Sequence, residues 1–303
     1  MKILKIALAM MLVVLIVAAA YLYKGDLPAE YVDKKYSNDE SQFLTMENGA
    51  KVHYRDEGDE TKPVIVLVHG SNASLHTWEP WVEIFKADYR VISMDLPAHG
   101  LTGATPDKDY SSQAQVNTVQ AVVSHLDVDT FVLGGNSMGG GVTWRYTLQQ
   151  PEKVLAMLLV DSSGLPQFRR QPVAAEGESK PSPLIFTLMS KAWFRAAARY
   201  LDPYFLAVQG LKSAYNNSPV VTDELIDRYY ELAIREGSRE ATISRFSGFG
   251  SRSREPVDVT PFNMPTLIMW GAEDALIPVS VADQFAATLA NNTLVVYEDV
   301  GHA

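Results

Sequence analysis

Short runs of apolar and β-branched residues recur along the chain, each bounded by Gly, Asp, Pro or another residue typical of turns. Runs of this length and composition predict β-strands. They occupy residues 42–46, 51–56, 64–68, 90–93, 129–134, 154–160, 266–270 and 293–297. After residue 64, segments of helical length such as 111–126 and 138–150 separate successive runs. This alternation of strands and helices predicts an α/β fold.

Two of these runs contain no polar residue. Residues 64–68 read Val-Ile-Val-Leu-Val, and residues 155–160 are equally apolar. Strands buried on both faces have this composition, which is typical of parallel sheets covered by helices on both sides. We therefore expect a mostly parallel sheet flanked by helices, with the first two runs forming an antiparallel edge.

The alternation stops between residues 161 and 260, where the sequence shows no convincing buried strand. Helical stretches at residues 183–200 and 222–236 occupy this interval instead. An interval of helices inside an α/β pattern predicts an inserted helical cap that covers part of the core. The expected units are an α/β core, residues 41–164 and 261–303, and a helical cap, residues 165–260.

The N-terminal segment is apolar without interruption from residue 6 to residue 23, following Lys2 and Lys5. This length is just enough for a helix that crosses a bilayer, and the two lysines would keep the N-terminus in the cytoplasm. We expect residues 1–23 to be a membrane anchor and residues 24–40 a polar tether. The body would then face the periplasm from a bacterial inner membrane. The alternative is a signal sequence, cleaved near residues 18–20, and a secreted body.

Composition narrows the functional classes. The chain has 303 residues, of which 47% are hydrophobic and 20% charged, as expected of a large globular domain with a buried core. The net charge of -10 and the lack of a basic stripe argue against a nucleic-acid partner. The absence of cysteine excludes disulfides, thiolate metal sites and a cysteine nucleophile. Because no His or carboxylate cluster has metal-ligand spacing, we expect neither a metal nor a cofactor.

The strongest chemical motif is Gly135-Asn136-Ser137-Met138-Gly139, which lies between a predicted strand and a predicted helix. The pattern Gly-x-Ser-x-Gly in this context forms a sharp turn that exposes the serine hydroxyl above the sheet. The helix that follows directs its N-terminus toward developing negative charge. A phosphate-binding loop is the alternative, but no Lys-Ser or Lys-Thr pair follows the glycines. Ser137 is therefore a candidate nucleophile.

Three further segments follow predicted strands and complement this serine. His69-Gly70-Ser71-Asn72 follows residues 64–68, and the backbone amide of Ser71 is placed to bind an oxyanion together with that of Met138. Asp274 lies just past residues 266–270, and His302 follows residues 293–297. Ligand-facing residues of α/β sheets lie at such strand ends.

From about residue 42 to its end, the chain resembles α/β-hydrolases with a helical cap. The segments that carry the resemblance are His69-Gly70-Ser71 with Trp78 downstream, Asp95-Leu96-Pro97-Ala98-His99-Gly100, Gly135 to Gly139, Trp270-Gly271-Ala272-Glu273-Asp274 and Gly301-His302. The resemblance implies that Ser137 is the nucleophile, His302 the general base and Asp274 its orienting acid. It also implies an oxyanion hole formed by the amides of Ser71 and Met138.

Two features of the site differ from the family pattern or stay open. Asp161, directly after residues 154–160, is an alternative to Asp274 as the acid. Members of the family normally carry a last helix after the His loop, whereas this sequence ends one residue after His302. We therefore expect His302 to be poorly fixed and apolar surface to be exposed beside residues 293–297.

These residues favour a serine hydrolase that cleaves carboxylic esters of small or medium acyl groups through an acyl-enzyme. Carbon–carbon bond hydrolysis of dienone acids is an alternative, because residues 135–140 resemble that branch too. Ser71-Asn72-Ala73-Ser74 stands where that branch has a segment rich in glycine and proline. A membrane-tethered binding module without catalysis is the alternative of another class, and the complete Ser137, Asp274 and His302 set argues against it.

Overall fold

The computed structural model describes residues 21–170, 191–247 and 255–303, together with residues 6, 10, 11, 13 and 17. Within these residues, eight strands form one sheet in the order β1-β2-β4-β3-β5-β6-β7-β8. The strands are β1 (Ser41–Thr45), β2 (Lys51–Glu57), β3 (Val64–Val68), β4 (Arg90–Met94), β5 (Phe131–Asn136), β6 (Val154–Val160), β7 (Thr266–Gly271) and β8 (Asn292–Tyr297).

The sheet is mostly parallel. β2 pairs in the antiparallel sense with β1 and with β4, and every other neighbouring pair is parallel. Each predicted run coincides with a strand to within two residues. The predicted fold class, a mostly parallel sheet flanked by helices with an antiparallel edge, is confirmed.

Helices cover both faces of the sheet and fill the interval between β6 and β7. They are α1 (Ala29–Tyr36), α2 (Glu79–Phe85), α3 (Ser112–His125), α4 (Met138–Gln149), α5 (Ala192–Ala198), α6 (Tyr204–Ala214), α7 (Asp223–Ala233), α8 (Ser238–Ser247) and α9 (Ser280–Thr288). We refer to α5–α8 as the insert helices. Residues 183–190 of the predicted helix 183–200 lie outside the described residues.

The core lies between the sheet and the helices that follow its strands. Along α3 the buried positions Val116, Val119 and Val123 are spaced by three and four residues, so they form one apolar face. The side chain of Ser111 caps this helix by accepting the N–H of Ala114 at 3.2 Å. Apolar residues of β3 and β5 pack against this face and exclude water. This packing fixes the carboxyl ends of the strands, where the candidate site residues lie.

The predicted membrane anchor is overturned by the structure. A spanning helix needs about 20 consecutive apolar residues, and no helix among the described residues is both long and apolar enough to cross a bilayer. Most of residues 1–20 lie outside the described part of the chain. The predicted localisation on the periplasmic face of a membrane depended on that anchor, so this prediction is wrong as well.

The segment that follows contacts the insert helices. The N–H of Lys24 donates to the carbonyl of Tyr200 at 3.0 Å, and Val32 of α1 is fully buried. Arg235 donates two hydrogen bonds to the carboxylate of Asp33, at 2.6 and 2.8 Å. Bidentate pairs of this kind are directional, so α1 has a defined position beside α7.

Candidate active site

Ser137 occupies the turn between β5 and α4. Its backbone has φ 54° and ψ -113°, a left-handed conformation that costs a non-glycine residue about 1–3 kcal/mol. Three backbone hydrogen bonds hold it: its N–H donates to Val160 at 2.9 Å, and its carbonyl accepts from Gly141 and Ser163. The turn therefore keeps the half-buried hydroxyl at the carboxyl edge of the sheet.

The glycines on either side of Ser137 are required by close backbone contacts. A Cβ at Gly135 would collide with the carbonyl group of Gly139, and a Cβ at Gly139 would collide with the carbonyl of Val68. A Cβ at Gly70, in the loop after β3, would lie 2.7 Å from Oδ1 of Asn136 and 3.3 Å from Cβ of Ser137. The loop after β3 and the serine turn are thus packed directly against each other.

We expect Gly135→Ala to lower the free energy of unfolding by about 3 kcal/mol, because the collision is with backbone that has no room to move. Gly210→Ala is a matched control, since a Cβ there meets no atom within 4 Å in the interior of α6. The control should stabilise by up to about 1 kcal/mol. Urea-induced unfolding measures both values, and equal stability of the two variants would contradict the packing described above.

His302 and Asp274 form a buried pair. Nδ1 of His302 lies 2.7 Å from Oδ2 of Asp274, and the two residues are 5% and 8% exposed. Oδ1 of Asp274 accepts the N–H groups of Leu276 at 2.7 Å and Ile277 at 2.9 Å. A neutral imidazole that donates from Nδ1 to Asp274 leaves Nε2 free to accept a proton. The pair therefore has the orientation of a general base and its acid.

The loop that carries His302 is fixed on both sides. The N–H of His302 donates to the carbonyl of Ala214, at the end of α6, at 2.6 Å. The His302 carbonyl accepts from Nδ2 of Asn136 at 3.2 Å, and the same amide reaches the carbonyl of Val160 at 3.3 Å. The expectation of a poorly fixed His302 is wrong, because an insert helix and the serine turn both bind the loop.

Apolar side chains are exposed beside β8, as expected. Val296, Tyr297 and Val300 are 38%, 41% and 40% exposed. They lie on the last strand and in the loop that leads to His302.

Asp161, the alternative acid, lies next to this pair. It follows β6, is 4% exposed, and its Oδ1 accepts the N–H of Gly271 at 2.9 Å. Ligand atoms of Asp161, Asp274 and His302 all lie within 4.8 Å of one another. Burial, together with side-chain contact with Asp274, raises the pKa of Asp161 to about 7. The imidazole thus has one carboxyl group as its hydrogen-bond partner and a second beside it.

The loop after β3 contacts an arginine that sequence patterns do not single out. Arg245 of α8 is 5% exposed and donates from one nitrogen to Oγ of Ser71 at 2.8 Å and to Oδ1 of Asn72 at 3.1 Å. Its other terminal nitrogen approaches the sulfur of Met138 at 3.5 Å. An arginine within a helix carries no signal in the local sequence of such a contact. The structure places its positive charge beside Ser71 and Met138, the two residues predicted to bind an oxyanion.

His69 braces the same loop. Its Nδ1 donates to the carbonyl of Gly70 at 2.7 Å, and its Nε2 accepts the N–H of Leu96 at 3.0 Å. Burial lowers the pKa of His69, so the imidazole is neutral near pH 7 and makes both contacts with its two nitrogens. His99, by contrast, donates to the carbonyl of Pro97 in its own turn at 2.9 Å.

A cavity of about 510 Å³ opens beside the carboxyl ends of the strands. Its walls come from the region of α2, from β5 to β8 and from the insert helices. They include Trp78, Trp81, Asn136, Asp161, Tyr215, Tyr229 and Trp270. The cavity therefore reaches the site at Asn136, next to Ser137, and at Asp161.

Comparison with known proteins identifies the fold family of the chain. Residues 63–303 match the family described as alpha/beta hydrolase fold. A 2-hydroxy-6-oxononadienedioate/2-hydroxy-6-oxononatrienedioate hydrolase of Klebsiella pneumoniae is 28% identical over 274 residues, covering 86% of this chain and 89% of that protein. The uncharacterized hydrolase YugF of Bacillus subtilis is 27% identical over 255 residues, covering 84% and 89%.

Among solved structures, a candidate lipase from Acinetobacter baumannii superposes with a TM-score of 0.69 at 24% identity, covering 92% of this chain and 91% of that one. At this identity the likeness shows the fold alone. The family match, in contrast, spans well over half of the chain, and the relatives it agrees with are named as hydrolases. The chain therefore belongs to the α/β hydrolase fold family and is a hydrolase of that superfamily.

Proposed function

We propose that this protein is a serine hydrolase that cleaves carboxylic esters through an acyl-enzyme. Ser137 is the nucleophile, His302 the general base and Asp274 the acid that orients it. The observation that carries the proposal is the buried hydrogen bond between His302 and Asp274 at the strand edge where the turn presents Ser137. A serine hydroxyl is a poor nucleophile at neutral pH, and an oriented imidazole is what activates it.

In the first half of the reaction, Oγ of Ser137 attacks the ester carbonyl carbon while Nε2 of His302 takes the hydroxyl proton. The resulting oxyanion is bound by the N–H groups of Ser71 and Met138. Collapse of the tetrahedral intermediate breaks the bond to the alkoxy oxygen, which leaves as an alcohol with the proton from His302. Asp274 stabilises the imidazolium that exists between these events.

In the second half, a water molecule replaces the alcohol. His302 takes a proton from the water as the oxygen attacks the acyl carbon, and the second intermediate collapses to release the carboxylic acid. The proton returns to Oγ of Ser137, so the enzyme is regenerated and no cofactor is consumed. The same oriented imidazole serves both halves, which is why its hydrogen bond to Asp274 matters to each.

The sequence predicts that residues 165–260 form a cap, and a cap over the site fits a small-molecule acyl substrate. The insert helices approach the site through Arg245, which contacts Ser71, and through Ala214, which binds the His302 loop. We assign them the role of a cap that excludes water from the acyl-enzyme. The positive charge of Arg245 adds to the potential that favours an oxyanion near Ser71.

Labelling with a serine-reactive fluorophosphonate, followed by a panel of p-nitrophenyl esters of increasing acyl length, tests the proposal. We expect one equivalent of label on Ser137, and hydrolysis of small or medium acyl chains that the label abolishes. Failure of the purified protein to react with either reagent would contradict the proposal and favour a binding module without catalysis.

Carbon–carbon bond hydrolysis of dienone acids is the second candidate. The similarity to the Klebsiella pneumoniae hydrolase, whose name specifies such substrates, favours it. Conjugated dienone acids absorb strongly in the near-ultraviolet or visible range, and cleavage shortens the conjugated system, so the reaction is followed directly by the loss of absorbance. A kcat/KM for a dienone acid higher than for every ester in the panel would replace ester hydrolysis as the main activity.

A further inference from the structure

Asp161 is a buried carboxyl group that the mechanism above does not use. One of its oxygens accepts the N–H of Gly271 at 2.9 Å, and a carboxyl oxygen lies within 4.8 Å of ligand atoms of both Asp274 and His302. Its backbone has φ 45°, and its N–H donates to the carbonyl of Met269 at 2.9 Å. These contacts hold the side chain at the carboxyl end of β6, against the pair formed by Asp274 and His302.

Carboxyl oxygens of Asp161 and Asp274 lie within 4.8 Å of each other. Two ionised carboxylates at that distance repel each other, and burial increases the energetic cost of the repulsion. Asp274 accepts three hydrogen bonds, from two backbone N–H groups and from Nδ1 of His302. Asp161 accepts one N–H group. The proton is therefore expected on Asp161, which agrees with the raised pKa of that residue.

The other charged and titratable groups around Asp161 do not reverse this assignment. Asp274 and His302 lie within 4.8 Å of Asp161. The titratable side chains that line the adjoining cavity are His76, Glu79, Tyr215, Glu224, Arg228, Tyr229 and Tyr297. Arg228 is paired with Glu79 at 2.9 Å. Burial lowers the pKa of His76 to about 4 and raises that of Tyr215, so both are neutral near pH 7.

We propose that Asp161 is a positioning residue of the active site, which in its neutral form donates a hydrogen bond to Asp274 and so keeps that carboxylate directed at His302. The inference rests on the proposed function, because it assigns Asp274 and His302 their catalytic roles. Asp161 acts through Asp274 and does not touch the substrate. Its contact with the cavity gives its proton a path to solvent.

The charge of Asp161 has a consequence for the pH dependence of the reaction. When Asp161 ionises, a second negative charge lies beside His302 and favours the protonated imidazole. The acid-side midpoint of kcat/KM should therefore be higher in the wild-type enzyme than in a variant that cannot ionise at position 161. A merely structural bond to Gly271 would not move this midpoint.

The test compares Asp161→Asn with Asp161→Ala. The asparagine amide donates to Asp274 and still accepts from Gly271, so kcat should stay within about threefold of wild type while the acid-side midpoint falls by roughly 0.5–1 pH unit. Alanine should lower kcat about tenfold, the effect of one lost hydrogen bond, with little change in KM. Asp129→Asn is the control for the loss of a negative charge. Asp129 is exposed and lies just before the N-terminal end of β5, at the edge of the sheet opposite the site.

A measurement without substrate separates this proposal from the proposed function. Because the pKa of Asp161 is raised from 3.8 to about 7, the proton it retains on folding stabilises the native state fully below pH 4, and this stabilisation is lost as pH rises through 7. The melting temperature of Asp161→Asn relative to wild type should therefore increase between pH 5.5 and pH 8.5. No relative increase, or an unchanged midpoint of kcat/KM in Asp161→Asn, would overturn the proposal. If the wild type hydrolysed no ester but the melting temperatures changed as expected, the proposed function would be overturned and the interaction of Asp161 with Asp274 would stand.

Discussion

Replacing Ser137 with alanine is expected to lower kcat for ester hydrolysis by at least about 10⁴-fold, since it removes the attacking oxygen. The fold should be unaffected. The hydroxyl makes no hydrogen bond within the described residues, and the left-handed backbone is held by main-chain contacts that alanine also makes. The melting temperature of the variant should therefore lie close to that of the wild type.

Steady-state hydrolysis of a p-nitrophenyl ester and fluorophosphonate labelling together measure this effect. Ser124→Ala is the matched control, because Ser124 is exposed near the end of α3, away from the strand ends that form the site. It should retain full activity and labelling. Unchanged hydrolysis by purified Ser137→Ala would refute the acyl-enzyme mechanism and transfer the activity to another group.

The second large effect concerns Asp274. Asparagine at this position can still accept the N–H groups of Leu276 and Ile277 through its oxygen, so the loop should keep its shape. Its NH₂ group would face Nδ1 of His302 and force the imidazole to carry its proton on Nε2, where it cannot act as a base. We expect kcat to fall by about 10³–10⁴-fold, with KM much less affected.

The comparison with Asp161→Asn decides which carboxylate is the acid. In the wild type, His302 Nδ1 is bound to Asp274, so Asp161→Asn should remain within about threefold of wild type in kcat at its optimum, as argued above. If Asp161→Asn were the more damaging change, the role of the acid would move to the end of β6. Measuring both variants at their own pH optima removes the contribution of a shifted midpoint.

Much of the fold could be predicted from the order of residues alone. Continuous apolar runs such as Val64–Val68 and Val154–Val160 became the central strands of the sheet, because a strand covered on both faces has no polar position. The serine turn could also be predicted, since the pattern Gly-x-Ser-x-Gly lies within five residues and the contact that requires Gly135 is with Gly139. Chain order then placed His69, Asp161, Asp274 and His302 after strands, at a common edge.

What sequence patterns did not reveal are contacts between residues far apart in the chain. The bond from His302 to Ala214, the approach of Arg245 to Ser71 and the contact of α1 with α7 all join segments with no shared local signal. The N-terminal apolar run shows the reverse case. Its composition predicted a spanning helix, whereas no helix among the described residues is long and apolar enough to cross a bilayer.

The choice between Asp161 and Asp274 shows how far sequence patterns can predict the site. Both residues follow a parallel strand, and the carboxyl ends of such strands lie at one edge of the sheet, so both candidates could be identified from the sequence. Which of them faces Nδ1 of His302 depends on distances of a few ångströms set by the packing of β6, β7 and β8 and of the loops after them. Tertiary structure decided it, because hydrogen bonds and the energy of a buried charge change steeply over such distances, while hydrophobic patterning along the chain does not record them.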